Sequence, residues 1–390
     1  MHGLKHFLIG AIGLCALTAF ANESFADEVD DDLQVIALVG PGGKGSRAAR
    51  VARDRLVAQG TGVLPRLLNA MDTDNIVAAN WLRTVYEEIV GRELKKPKPK
   101  LPLATMCDYV RNPKRQGRVR RMLLNFVDAR IPNFRRELIP MLLDDPEFRS
   151  DAVAMVLQSG DAAKQAGKAD KAREFYLKAF RNARDSRQIT TAAGRLKAVG
   201  TDVSIVEHMG FVVDWYLLGP FDAPKTTGFD LMFPPEKKVD LQGTYAGKDG
   251  RTIRWKRFST TDRFGQSNLI QAIAPVKEAV GYAYAELKSS EDRSVRLRCG
   301  ADDNCSVWLN GKKIFSRLQW LNGTRLDRFS APAELRKGTN RLLVKICQGP
   351  QHKNPAVPNN WSLQLRFCDE LGTGVPLTSL LPPLRKIMLL

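Results

Sequence analysis

Few residues of this 390-residue chain combine type and spacing in a way that could do chemistry. Two aromatics stand beside amides: Trp320 with Asn322 in Gln-Trp-Leu-Asn-Gly, and Trp361 with Asn359 in Asn-Asn-Trp-Ser. An exposed indole stacks on a sugar ring and an amide bonds its hydroxyls, so these four are the candidate ligand-binding residues. Asp302 and Asp303 are adjacent carboxylates at a polar corner, and with Gly300 and Asn304 they read as a solvated turn. Cys299 and Cys305 flank that corner and both point inward, the best disulfide candidate, with packed free thiols as the alternative. Catalysis finds no motif. His208 and His352 are the only histidines past the N-terminal segment, too few for a histidine-rich zinc site or a familiar serine triad. The Gly-rich run Gly40 to Ser46 places Lys44 ahead of Gly45, which is not the order of a phosphate-binding loop. The chain therefore reads as a non-enzyme.

The elements that must position these residues are legible. Val295, Leu297 and Cys299 share one face while Arg296 and Arg298 take the other, the period of a half-buried strand. Val307 and Leu309 resume the alternation with Trp308 on the opposite face, which needs its own cover. Asn310-Gly311 supplies the positive-φ positions of a tight hairpin. Lys337 to Arg341 then turns into an apolar strand from Leu342 to Cys347.

The phrases Asp-Asp-x-x-x-Val-Trp-Leu-Asn-Gly-Lys and Leu-Arg-Lys-Gly-Thr-Asn-Arg-Leu-Leu-Val-Lys carry a resemblance. They resemble the β-sandwich of galactose-binding-like and protective-antigen-like modules, over residues 212–370, and similar phrases occur in the non-catalytic sugar-binding domain of family 2 glycoside hydrolases. The Trp215 to Phe221 opening is similar to the first strand of sandwich modules appended to exported bacterial proteins. The resemblance implies a jelly-roll sandwich. It also implies a calcium ion at Asp302 and Asp303, since protective-antigen-like lectins use such an aspartate pair to hold a calcium that binds sugar hydroxyls.

Upstream, Lys5, the apolar run Phe7 to Thr18 and Ala19-Phe20-Ala21 read as a signal peptide over 1–21, followed by no membrane span, and hence as export to the periplasm or cell envelope. Residues 27–94 resemble HEAT-like helix pairs, from Val63 to Asp72 and Asn75 to Val90. Lys95 to Lys100 is a Lys/Pro linker. Residues 101–205 continue the helices with a tetratricopeptide-like hairpin over Asp151 to Arg184, turning at Gly167, and 371–390 is a tail after the sandwich. The expected fold class is multidomain α + β, an α-solenoid followed by an antiparallel jelly roll. A net charge of +18 favours acidic partners, but the basic residues are scattered without interleaved aromatics, and no nucleic acid is expected. The function that fits is an exported binding or scaffold protein: helical repeats for a protein partner, sandwich for a carbohydrate or acidic cell-surface polymer. A purely structural envelope scaffold and an accessory module of a carbohydrate-processing system are the alternatives.

Overall fold

The computed structural model describes residues 28–319, 323–354 and 359–381. The chain divides into two compact units, the first ending at Met155 and the second starting at Val156. Among the described residues no helix is long and apolar enough to cross a membrane.

The first unit is helical. Helices Ser46–Gln59, Leu64–Ala70, Ile76–Leu94, Leu103–Arg111 and Gly117–Asp128 follow one another, each burying an apolar stripe. Ala49, Ala52 and Leu56 form one stripe, and Leu82, Val85 and Ile89 another. Asn75 sets the start of the third of these helices, its Oδ1 accepting from the backbone N–H groups of Val77 and Ala78 at 3.1 and 3.3 Å. The acidic run Asp30 to Asp32 reads in the sequence as a cap ahead of a helix, but residues 28–37 are themselves helical. Asp32 is buried there and accepts from Arg55 Nε at 3.0 Å. Arg120, also buried, is bidentate to Asp145 at 3.1 and 2.7 Å.

The second unit takes in the end of helix Arg149–Gln165, helices Ala169–Asn182 and Ser186–Lys197, and all the sheets. Gly167, at φ 72°, makes the turn ahead of the second of these helices. Ala172, Tyr176, Ala179 and Phe180 are buried on one of its faces.

Thirteen strands follow among the described residues: β1 Asp214–Asp222, β2 Thr244–Ala246, β3 Thr252–Arg254, β4 Lys256–Ser259, β5 Ser267–Asn268, β6 Ala279–Ser289 and β7 Arg293–Asp302; then β8 Cys305–Leu309, β9 Lys312–Arg317, β10 Phe329–Leu335, β11 Gly338–Gln348, β12 Ser362–Cys368 and β13 Thr378–Ser379. All pairings are antiparallel. One sheet runs β4-β1-β6-β11-β8-β9, with β13 also on β6; a four-stranded sheet runs β10-β7-β12-β5; β2 and β3 pair alone. Val295, Leu297, Cys299, Leu363, Leu365 and Phe367 of the smaller sheet pack against Leu217, Ala283, Val307, Leu309, Val344 and Ile346 of the larger, which makes a sandwich core. The hairpin between β8 and β9 turns at Asn310 and Gly311, at φ 53° and 82°.

The larger sheet is covered on its other face too. Leu218, Phe221, Tyr282, Tyr284 and Leu343 pack there under Phe229, Phe233, Leu241, Ile253 and Trp255 from the segment between β1 and β4. Lys345 pins that segment: buried, its Nζ donates to Phe229 O at 3.2 Å, to Leu231 O, and to Glu236 Oε1 at 2.9 Å. Tyr282 Oη donates to the same Glu236 oxygen at 2.6 Å.

Candidate functional site

The chain leaves the smaller sheet at Asp302 and enters the larger at Cys305, so the corner at Asp303 and Asn304 sits where one sheet hands over to the other. The expected solvated turn is not what forms. Asp302, Asp303 and Asn304 are 2%, 8% and 0% exposed. The reason is the hand-over itself, which draws the corner against the end of β11: Asp303 N donates to Cys347 O at 3.0 Å and Cys347 N to Asn304 O at 2.9 Å. The peptide between the aspartates is cis. Both carboxylates accept from the backbone, Asp302 Oδ2 from Gly323 N at 3.0 Å and Asp303 Oδ2 from Gly349 N at 2.7 Å. Burial, and then the neighbouring Asp303, push the Asp302 carboxyl up to about 7, against the pull of the Gly323 N–H and Lys277.

Amides complete the corner. Asn304 Oδ1 accepts from Gln319 N, while its Nδ2 is buried with no hydrogen-bond partner among the described residues. Gln348, buried at the end of β11, donates from Nε2 to Asn359 Oδ1 at 2.8 Å and to Asn360 O at 3.1 Å. Because Gly349 follows it and donates to Asp303, Gln348 brings Asn359 to the same end of the sandwich as the aspartates. Asn304 and Gln348 were missed in the sequence. The signal for Gln348 was an amide closing the Ile346-Cys347 run, with the ladder still running beneath it.

Trp361 is not an exposed platform. It is 1% exposed in the inter-sheet core, its indole Nε1 without a partner among the described residues, and a Cβ on Gly281 would lie 2.9 Å from its ring. The cause is parity: Trp361 alternates in register with Leu363, Leu365 and Phe367, all facing inward. Trp320 and Asn322, like the signal segment, lie outside the described residues, yet Gln319 and Gly323 on either side bond Asn304 and Asp302. Cys299 and Cys305 form no disulfide. Both are free and buried, and a hydrogen bond to Cys305, with burial, pushes the Cys299 thiol well above its usual range. They pack from opposing sheets as small hydrophobes in the core. His208 is structural, its ring nitrogen 3.0 Å from Ala183 O and its charged form disfavoured by burial.

As a metal site the corner offers oxygen donors. Among the described residues no group of three or more His, Cys, Asp or Glu could hold a metal ion, so a cation here needs amide, carbonyl or water ligands besides the two carboxylates. That donor chemistry suits calcium, and a cation would offset the burial and the Asp303 charge that together raise Asp302.

No family model matches the chain, and no curated protein matches it. Among solved structures, an anti-sigma factor domain-containing protein is similar at 16% identity, over 44% of this chain and 46% of that one, with TM-score 0.24. A PA14 sugar-binding domain from an RTX adhesin is similar at 12% identity, over 40% of this chain and 89% of that one, with TM-score 0.20. A β-glucuronidase of Faecalibacterium prausnitzii is similar at 13% identity, over 42% and 32%, with TM-score 0.22. The match to the first of these spans less than half of that protein. At TM-scores of this size the likeness places no function on the chain.

Proposed function

We propose that the protein is a non-catalytic glycan-binding protein whose sandwich holds a saccharide through a calcium ion at Asp302 and Asp303. The observation that carries this reading is a corner in which burial, and then the adjacent Asp303 carboxylate, raise Asp302 to about 7, beside an Asn304 amide N–H without a partner among the described residues. Asp302 and Asp303 would hold the cation, and the cation would supply a Lewis-acidic seat for vicinal hydroxyls. Asn304 Nδ2 has a hydrogen bond to give such a hydroxyl, and Asn359 is fixed near it by Gln348. Trp320 and Asn322 belong to the proposal through their flanks, Gln319 and Gly323.

The wider reading is an exported protein with a signal peptide over 1–21. Its helices over 27–94 and 101–205, joined by the 95–100 linker, are HEAT- and tetratricopeptide-like pairs stacked as a solenoid for a protein partner. Its 212–370 sandwich has jelly-roll topology. A glycan array probed with the full chain tests the central claim: saccharides retained with calcium and released by EGTA are expected. An array on which no saccharide is released by EGTA overturns it. The second reading is a structural envelope scaffold without a small ligand, which the burial of Trp361 favours; it predicts an empty array.

A further inference from the structure

A groove of about 420 Å³ lies on the outer face of the larger sheet, built by residues the corner does not use. Tyr284 pairs with Leu343 across β6 and β11, and Leu343 pairs with Trp308 across β11 and β8. The three therefore form one row over three adjacent strands, about 10 Å long, in which Tyr284 and Leu343 are buried. Pro235 to Leu241 wall this row, and Trp308, half-buried, is its accessible end.

The charges around the groove do not balance. Glu286 at its mouth accepts from Tyr284 Oη at 2.7 Å and from Arg341 Nε at 3.3 Å, so it is neutralised. Glu236 is neutralised by Lys345. Lys237 and Lys238 line the groove, exposed and without a carboxylate partner among the described residues. Exposed Lys313 also has none, and its ammonium lies 4.8 Å from the centre of the Trp308 ring. A half-buried indole with a cationic surplus beside it is complementary to a sugar ring that bears a carboxylate.

From this we infer that the groove is a second saccharide site, selective for uronic acids and independent of calcium. Trp308 meets the ring, and Lys237, Lys238 and Lys313 meet the carboxylate. The site goes beyond the corner and does not rest on it.

The test is calorimetric titration of the full chain with tetragalacturonate and with neutral galactotetraose, both in EGTA. Tetragalacturonate binding that weakens with added sodium chloride is expected, with the neutral tetramer weaker by about tenfold or more. Lys237→Glu with Lys238→Glu, both exposed, should keep the thermal midpoint and lose about tenfold in affinity or more. Trp308→Ala should lose a similar factor and Trp308→Phe should recover part of it. No tetragalacturonate binding by the wild type, equal binding of the two tetramers, or full binding by the double lysine variant overturns the inference. Because EGTA is present throughout, the fate of the calcium corner does not enter the result.

Discussion

Calcium titration across a pH series distinguishes a cation site from an acid pair that is merely buried. Asp302 is raised to about 7 from 3.8, so a cation must displace a proton below that point. Apparent affinity then falls about tenfold per pH unit under pH 7. Let calcium be set at about a hundred times its dissociation constant for the deprotonated corner. The folded state gains about 2.7 kcal/mol at pH 8, about 1.4 at pH 6 and about 0.4 at pH 5. The metal-free protein runs the other way. A folded pKa above the unfolded one gives stability that is complete below 3.8 and is lost as pH rises through about 7, so in EGTA the chain weakens over that window. Urea unfolding followed by tryptophan fluorescence, with calcium or EGTA at pH 5, 6 and 8, reads both trends. A calcium increment that is the same at all three pH values, or absent at all three, refutes the assignment.

Three further outcomes follow from packing and hydrogen bonding, each read by urea unfolding. Lys345→Met leaves Glu236 buried without its cation and the 229–231 carbonyls without their donor, at about 3 to 5 kcal/mol; adding Glu236→Gln should restore part of that, and additive losses would speak against a coupled pair. Asn310→Ala loses more than its positive φ, because Asn310 Nδ2 donates to Asn340 Oδ1 and its Oδ1 accepts from Arg341 N, both at 2.9 Å, so about 2 to 3 kcal/mol is expected and Asn310→Gly should cost less. Trp308→Ala should cost about 1 to 2 kcal/mol, below the range of a fully buried aromatic, since the ring is only half covered; a cost at or above that range would place Trp308 in the core and weaken its role in the groove.

What the sequence made legible is local. The alternation through Val295 to Cys299 and the Asn310-Gly311 turn are nearest-neighbour patterns that stand in the structure as written, while the strand expected from Leu342 to Cys347 begins earlier, at Gly338, because Gly338 to Arg341 already pair with β6. The corner was misjudged because its burial comes from three strand ends that are distant in sequence. Asp302 and Asp303 acquire their surroundings only when Cys347 to Gly349 pack beside them. Trp361 shows the opposite failure. Its parity with Leu363 and Leu365 was available, but the two asparagines ahead of it suggested an exposed indole beside amides, and a residue just ahead of a strand keeps the strand's facing. The groove under Trp308 was half visible: the sequence required a cover for that face without showing that the cover, Pro235 to Leu241, leaves it open at one end.

Among the described residues, the strand order ends each of the two main sheets in two terminal strands. In the larger sheet these are β4 and β9, in the smaller β10 and β5. Lys256 and Arg257 occupy β4, and Lys312, Lys313 and Arg317 occupy β9. Pro332 gives β10 a position with no N–H to offer, and β5 is only two residues long. A second molecule that tried to continue either sheet would bring like charges together or meet a missing donor. Resistance to fibrous self-association at the larger sheet is thus electrostatic and screenable, while at the smaller sheet it lies in an absent backbone donor and a very short edge. High ionic strength, or neutral residues at Lys312 and Lys313, should open the β9 side first.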